Sequence, residues 1–270
     1  MIYLGCSGWS YPDWVGPFYP RKATEKLSFY SGIFNTVEIN TTFYRIPDAG
    51  MVTGWMKRVS NRDFKFSVKF PGQVTHKDIL GDLERAVTTS VDFEERYLKP
   101  MAMENRLAAV LLQLPPYFTI KSTHRLATLL KSLNTDAIGY FVEPRHQTLY
   151  GNSQFREEIA SAGAGVVEID GPEKEFLDIS STGKSFYMRL HGRNYDLWNR
   201  KTDTPSERYD YEYSTEDLKP ISEVIRKNIG KYEDAFIYFN NHPRGKAPRN
   251  AMALSTLLGL PRDTPQKRLI

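Results

Sequence analysis

Eight short apolar segments recur along the chain, and stretches with helical periodicity separate most of them. Continuous apolar strands alternating with helices are typical of a parallel sheet covered on both faces. About eight such units in about 250 residues match a closed (β/α)8 barrel. The predicted strands are Ile2–Ser7, Thr36–Asn40, Phe64–Lys69, Ala108–Leu114, Ile138–Glu143, Gly165–Ile169, Ser185–His191 and Ala235–Asn240. The predicted helices are Thr24–Ser31, Met51–Ser60, Leu83–Met103, Thr123–Leu133, Gln154–Ala162, Thr215–Asn228 and Ala251–Leu258.

An open, doubly wound sheet is the structural alternative. Such a sheet has a glycine-rich turn after its first strand to hold a phosphate, and this chain has none. The segment Gly163-Ala164-Gly165 enters a predicted strand instead of leaving one. No linker, repeat or composition shift divides the chain. We therefore expect an α/β, TIM-barrel-like fold, with residues 1–270 in a single domain.

Composition narrows the class of protein. Hydrophobic residues make up 40% of the chain and charged residues 25%, which excludes a disordered protein. The net charge of +4 is too small to identify a nucleic-acid binder, because binding of phosphate depends on clustered charge. A single cysteine, Cys6, excludes an internal disulfide and a cysteine-rich metal site. The N-terminus does not resemble a signal peptide, and no apolar run is long enough to span a membrane, so we expect a cytoplasmic protein.

Polar residues occupy the ends of most predicted strands. In a barrel the C-terminal strand ends form the working face, and residues two apart on a strand share a face. The pairs that share a face are Glu38 with Asn40, Ser67 with Lys69, Glu143 with Arg145, Arg189 with His191, and Tyr238 with Asn240. For any one of these pairs, the structural interpretation is an ion pair that contributes to the fold and binds no ligand. Burying so many charges costs several kcal/mol unless a ligand offsets it, so the sequence predicts a site at the barrel mouth.

The types of residue at these strand ends suggest an anionic substrate. Glu38, Glu143 and His191 are the candidate catalytic acids and bases. Arginine and lysine side chains suit a phosphate or carboxylate. The candidate substrate-binding residues are Trp9, Asn40, Tyr44, Lys69, His76, Gln113, Arg145, Asp170, Arg189, Asn240 and Asn241. No cofactor is predicted. A divalent metal is the less favoured alternative, because three neighbouring cations would repel it.

Aromatic residues cluster in the predicted loops. Five rings follow the first strand, and the long segment from Gly192 to Ser214 contains five more. Loops of that length are usually functional or disordered, and this one is too aromatic for an inert linker. The functional interpretation is a lid that stacks on a base or a sugar ring. Packing of the loop on the barrel rim is the alternative.

A series of motifs runs in order through the chain. They are Gly5-Cys6-Ser7-Gly8-Trp9-Ser10-Tyr11-Pro12, Phe18-Tyr19-Pro20, Val37-Glu38-Ile39-Asn40-Thr41-Thr42-Phe43-Tyr44, Phe66-Ser67-Val68-Lys69, Thr75-His76, Leu112-Gln113-Leu114-Pro115-Pro116, Phe141-Val142-Glu143-Pro144-Arg145-His146, Arg189-Leu190-His191-Gly192-Arg193 and Tyr238-Phe239-Asn240-Asn241-His242. Together they resemble the domain-of-unknown-function 72 (YecE-like) family, from about residue 3 to about residue 258. The resemblance implies a TIM-barrel-like fold and supplies no reaction.

Three hypotheses for the function follow. The first is an enzyme acting on a small or oligomeric anionic substrate, such as a phosphosugar, in which Arg145 and Arg189 clamp the anion, Glu143 is the acid or base and His191 transfers a proton. The second is a nucleic-acid binding or processing protein. It rests on the aromatic loops and on basic residues at Arg244, Lys246, Arg249, Arg262, Lys267 and Arg268. The third is a non-catalytic ligand-binding protein. The substrate, the reaction and the oligomeric state stay open.

Overall fold

Parallel strands form two adjoining sheets in the computed structural model, which describes residues 1–172, 174–176, 178–181, 183–198 and 205–260. One sheet has the order β1-β9-β8-β7 and the other β2-β3-β4-β5-β6, and every pairing is parallel. The strands are β1 (Ile2–Cys6), β2 (Thr36–Ile39), β3 (Lys65–Lys69), β4 (Leu107–Gln113), β5 (Tyr140–Glu143), β6 (Gly165–Val166), β7 (Glu168–Asp170), β8 (Ser185–Leu190) and β9 (Asp234–Phe239).

The two sheets join at both of their edges. β6 and β7 are two parts of the predicted sixth strand, and Val167 between them donates its N–H to the carbonyl of Val142 at 2.9 Å. At the other edge, Ser7 forms a parallel bridge with Glu38 and so links β1 to β2. The predicted (β/α)8 barrel is therefore confirmed, with its sixth strand interrupted at one residue.

Side chains complete the hydrogen bonding between β1 and β2. The Tyr30 hydroxyl accepts from the N–H of Cys6 at 2.7 Å and donates to the carbonyl of Thr36 at 3.1 Å. The Asn35 amide adds a second link, since its Oδ1 accepts from the N–H of Leu4 at 3.0 Å. Buried backbone N–H and C=O groups need hydrogen-bond partners. The side chains of Tyr30 and Asn35 provide the partners that direct pairing of the two strands would otherwise provide.

Helices connect the strands and cover the outside of the barrel. The predicted helix Leu83–Met103 contains a π-helical turn, Glu94–Leu98, and the last predicted helix begins earlier, at Lys246, because Pro248 is tolerated in a first turn. None of the helices in the described residues is long and apolar enough to cross a membrane. The α-helices are α1 (Lys26–Ser31), α2 (Thr41–Tyr44), α3 (Ala49–Lys57), α4 (Ile79–Gly81), α5 (Leu83–Phe93), α6 (Lys99–Met103), α7 (Thr123–Lys131), α8 (Ser153–Ser161), α9 (Tyr195–Trp198), α10 (Thr215–Asn228) and α11 (Lys246–Leu258).

The core has two layers. The larger one lies between the barrel and its helices, and the smaller one fills the barrel interior with side chains from alternate strand positions. Within the interior, the hydroxyl of Tyr238 contacts the hydroxyls of Thr36 and Ser67, each at 2.7 Å. Side chains thus fill the barrel below its mouth, as in other barrels of this type. The interior apolar set is Tyr3, Ala109, Leu111, Phe141, Val167, Ile169, Tyr187, Phe236 and Tyr238.

Candidate functional site

A buried ion network lies directly below the barrel mouth. Arg189 of β8 donates to Glu143 of β5 through Nη1 and to Glu38 of β2 through Nη2, the latter at 2.8 Å. The side chains of all three residues are at most 1% exposed. Tyr187, two residues before Arg189 and on the same face of β8, donates its hydroxyl to Glu38 at 2.6 Å. One guanidinium therefore joins two carboxylates across the barrel.

Glu143 is the most heavily bonded member of this network. Its Oε1 accepts from Arg145 Nη2 at 2.6 Å, from Gln113 Nε2 at 2.9 Å and from His191 Nε2 at 3.1 Å. Burial alone would raise the pKa of Glu143, but the charges of Arg145 and Arg189 lower that pKa well below its ordinary value. Glu143 is therefore a permanently ionised acceptor near neutral pH.

His191 is buried between a carboxylate and an amide. Asn240 Nδ2 donates to His191 Nδ1 at 3.0 Å, which places the ring proton on Nε2, facing Glu143. Burial and the nearby charge of Arg145 lower the pKa of His191 to about 3. The imidazole is therefore a neutral hydrogen-bond donor at neutral pH.

The low pKa of His191 predicts a loss of stability in acid. The pKa of His191 is about 3 in the folded protein and 6.5 ordinarily, so the imidazole of the unfolded chain is protonated at a higher pH than that of the folded chain. The free energy of unfolding therefore falls as the pH drops from 6.5 toward 3. Between pH 6.5 and pH 4.5 this one residue should lower the free energy of unfolding by about 2 kcal/mol. Urea unfolding across this range should give a shallower pH dependence for His191→Gln than for the wild type.

The control for this prediction is the exposed His124, whose substitution by glutamine should keep the wild-type pH dependence. Burial is the main cause that lowers the pKa of His76 to about 4, so His76 also makes the protein less stable in acid. Part of the pH dependence of the unfolding free energy should therefore remain in His191→Gln. An unchanged slope in His191→Gln would show that the buried imidazole is not the source of the acid sensitivity.

A pocket of about 350 Å³ opens above the ion network. Polar side chains and one guanidinium reach it from the strand ends, and aromatic side chains reach it from the loops. No aspartate or glutamate lines it. The lining residues are Gly8, Trp9, Ser10, Tyr11, Asn40, Thr41, Tyr44, Lys69, Gln113, Arg189, Tyr209, Asn240 and His242.

Lys69, the last residue of β3, lines this pocket. It forms no ion pair with a carboxylate among the described residues. Its Nζ donates to Gln113 Oε1 at 2.8 Å and lies 4.1 Å from the centroid of the Phe43 ring. Burial, followed by the charge of Arg189, lowers the pKa of Lys69 to about 7. Near neutral pH the side chain can therefore bind an anion as an ammonium or accept a proton as an amine.

Most of the predicted site residues meet at this mouth. Seven of them line the pocket: Trp9, Asn40, Tyr44, Lys69, Gln113, Arg189 and Asn240. Glu38, Glu143, Arg145 and His191 lie in the ion network. His76 lines a second, neighbouring pocket together with Tyr44.

The structure does not bring Asp170 to the pocket. Val167 and Ile169 face the barrel interior, so Asp170, one residue further along, faces the helices. Its carboxylate is fully buried and accepts from Arg193 Nη2 at 2.8 Å and from the Tyr213 hydroxyl at 2.7 Å. The substrate-binding role predicted for Asp170 is corrected to an ion pair that anchors the segment after β8.

Asn241 also lies away from the pocket. Because it follows Asn240, its side chain leaves the opposite side of the backbone. Its Nδ2 donates to the Tyr211 carbonyl and to Asn250 Oδ1, both at 2.8 Å. The predicted substrate contact of Asn241 is therefore corrected to a structural link with α11.

The site also contains residues outside the predicted set. Gly8, Ser10, Tyr11 and Thr41 line the pocket from the segments that follow β1 and β2. Tyr187 supports Glu38, and the period-2 pattern that pairs Arg189 with His191 could have found it. Tyr209 and His242 line the pocket from loops, and their rings are 5.8 Å apart. Only the tertiary structure brings these two together, because they lie on different loops.

Three of the six basic residues that suggested nucleic acid pair with acidic neighbours. Arg244 and Lys246 both pair with Asp210, and Arg249 pairs with Glu212 at 3.0 Å. The other members of that set, Arg262, Lys267 and Arg268, lie outside the described residues.

Metal ligands do not gather in the described part of the chain. No group of three or more histidine, cysteine, aspartate or glutamate side chains there is arranged to hold a metal ion. The two carboxylates of the ion network, Glu38 and Glu143, both pair with Arg189.

Comparison with known sequences establishes the family. The model of the family described as "Protein of unknown function DUF72" matches residues 3–269. This chain belongs to the DUF72 family. The UPF0759 protein YunF of Bacillus subtilis is 27% identical to it, over 96% of this chain and 95% of YunF. The UPF0759 protein YecE of Escherichia coli is 34% identical over 154 residues, which are 57% of this chain and 52% of YecE.

Solved structures of DUF72 proteins share the fold. The DUF72 protein of Thermotoga maritima matches with a TM-score of 0.83 and 30% identity, covering 96% of this chain and 99% of that one. A DUF72 protein of Enterococcus faecalis gives a TM-score of 0.82 at 22% identity over the full length of both chains. A D-psicose 3-epimerase crystallised with D-fructose gives 0.52 at 12% identity, covering 86% of this chain and 92% of the epimerase, and this likeness concerns the fold alone.

Proposed function

We propose that this DUF72 protein is an enzyme that binds an anionic, phosphate- or carboxylate-bearing substrate in the mouth pocket and uses Lys69 for proton transfer. The observation that carries this proposal is a buried lysine in a pocket of about 350 Å³ that no carboxylate lines. Burying an unpaired ammonium is costly, and a bound anion would offset that cost. The aromatic walls provided by Trp9, Tyr11 and Tyr209 suit a substrate with a ring.

The ion network supports this role of Lys69 by fixing its surroundings. Arg189 is held by Glu38 and Glu143, which fixes its guanidinium below the pocket, where its charge helps to lower the pKa of Lys69. Gln113 donates to Glu143 and accepts from Lys69, which orients the amine. In this mechanism the amine of Lys69 takes a proton from the substrate, or its ammonium returns one, with a pKa suited to neutral pH.

The mechanism changes the roles first assigned to two candidate residues. A carboxylate with the low pKa of Glu143 is a poor proton carrier near pH 7, so Glu143 positions the cations around it instead. His191 keeps a neutral imidazole and donates to Glu143. Both are positioning residues here, and Lys69 is the catalytic residue.

A thermal-shift screen with inorganic phosphate, phosphorylated sugars and small carboxylates tests this proposal. We expect an anionic ligand to raise the melting temperature of the wild type and to have no effect on Lys69→Met, whose side chain is similar in size and uncharged. Affinity should fall by up to about tenfold per pH unit above the pKa of Lys69, because the ammonium is lost. The Lys69→Met variant should lack this pH dependence.

The matched control is Lys131→Met, at the exposed end of α7 on the far side of the barrel from the mouth. It should bind the ligand as the wild type does. Unchanged ligand binding in Lys69→Met would overturn the assignment of Lys69, as would a wild type that responds to none of these anions. The variant should stay folded, because methionine removes the cost of burying a charge.

A further inference from the structure

A second pocket, of about 400 Å³, adjoins the mouth pocket. The two share Tyr44, whose side chain is 84% exposed and lies on the rim between them. The ring of Phe43 separates their interiors. On one side its centroid is 4.1 Å from Lys69 Nζ, and on the other it is 4.9 Å from the centroid of the His76 ring. A ligand bound across the Tyr44 side chain would therefore extend into both pockets.

The second pocket is positively charged. Arg45 and Lys77 line it, no aspartate or glutamate does, and neither cation forms an ion pair with any of the described residues. His76, which also lines it, has its pKa lowered to about 4 by burial and then by the charges of Lys69 and Arg145. The positive potential of the mouth thus extends into this second pocket. An anion placed here would meet two free cations and no competing carboxylate.

Exposed rings flank the same pocket. Tyr117 is 59% exposed, and its hydroxyl donates to the carbonyl of His76. Tyr44 lines the pocket together with Arg45 and Lys77, and Tyr117 is linked to the pocket through its hydrogen bond to His76. Exposed rings next to unpaired cations suit a ligand that has both a ring and a charge.

We infer that the two pockets are subsites for one substrate with two anionic groups, one bound at Lys69 and the other between Arg45 and Lys77, with the linking ring over Tyr44. A sugar bisphosphate is the simplest compound of this class. The inference rests on the proposed function and adds a substrate class to it. It assigns Arg45 and Lys77 to binding, a role that does not require them to take part in the reaction.

Calorimetric titration with glucose 6-phosphate and fructose 1,6-bisphosphate tests the second subsite. We expect the bisphosphate to bind the wild type about tenfold more tightly than the monophosphate, which is the effect of one additional charge-assisted contact. The double variant Arg45→Gln, Lys77→Gln should bind both compounds with the affinity of the monophosphate. The control variant Arg62→Gln, Lys131→Gln removes two exposed cations away from the mouth and should behave as the wild type does.

The outcomes separate this inference from the proposed function. The second subsite would be overturned, and the proposed function would stand, if the wild type bound the two compounds with equal affinity and Lys69→Met bound neither. A bisphosphate advantage that persists without Arg45 and Lys77 would also overturn it. Failure of both compounds to bind would count against both proposals. Binding only of a single-stranded oligonucleotide, with a steep salt dependence, would replace them with a nucleic-acid function.

Discussion

Replacing Arg189 by methionine is expected to lower the free energy of unfolding by about 3–5 kcal/mol, the usual cost of removing one partner of a buried ion pair. Arg189 pairs with Glu38 and Glu143, and all three side chains are buried. Without it, Glu143 keeps its bond from Arg145, whereas among the described residues Glu38 keeps only its side-chain bond from the hydroxyl of Tyr187. Urea unfolding monitored by circular dichroism measures the loss.

Two further variants test the physical reason for this loss. Adding Glu38→Gln to Arg189→Met should restore part of the stability, because an amide costs less to bury without a cation than a carboxylate does. The comparison variant is Arg96→Met, which breaks an ion pair with Asp92 in which both side chains are exposed and should cost at most about 1 kcal/mol. Similar losses for Arg189→Met and Arg96→Met would contradict a buried network at the mouth.

Substituting Gly5 by alanine is expected to cost at least about 3 kcal/mol of unfolding free energy. A Cβ at this position would lie 2.1 Å from the carbonyl oxygen of Thr36 and 2.8 Å from the Tyr30 hydroxyl. β1 and β2 would have to separate, and the hydroxyl that bridges Cys6 to Thr36 would lose its position. Buried backbone groups without partners would add to the steric cost.

Thermal and urea unfolding of Gly5→Ala beside Gly54→Ala checks this prediction. Gly54 lies in α3, and a Cβ there would meet no atom within 4 Å, so alanine should leave stability unchanged or raise it by up to about 1 kcal/mol. If Gly5→Ala were as stable as Gly54→Ala, the close contact between β1 and β2 would be wrong.

Much of the site could be predicted from strand periodicity. Alternation along a strand is a local property, so it predicts that Glu143 shares a face with Arg145 and Arg189 with His191, and all four side chains meet in the ion network. Asp170 follows a predicted strand end as the other candidates do, but alternation from Val167 and Ile169 in the interior turns its side chain toward the helices. The interruption of the sixth strand at Val167 has no counterpart in the sequence pattern. Residues supplied by loops, such as Tyr209, carry no periodic signal.

Which cation at the mouth lacks a carboxylate partner is the property that only the tertiary structure decided. By itself, the sequence determined the barrel, its polar strand ends and the presence of three cations there, because these follow from local patterns. It did not determine which cation is free. Glu143 and Glu38 lie on different strands from Arg189, and only barrel closure brings them to it and leaves Lys69 in the pocket without a carboxylate partner among the described residues. Burial then moves the pKa of Lys69 to about 7, and burial is a property of the folded chain.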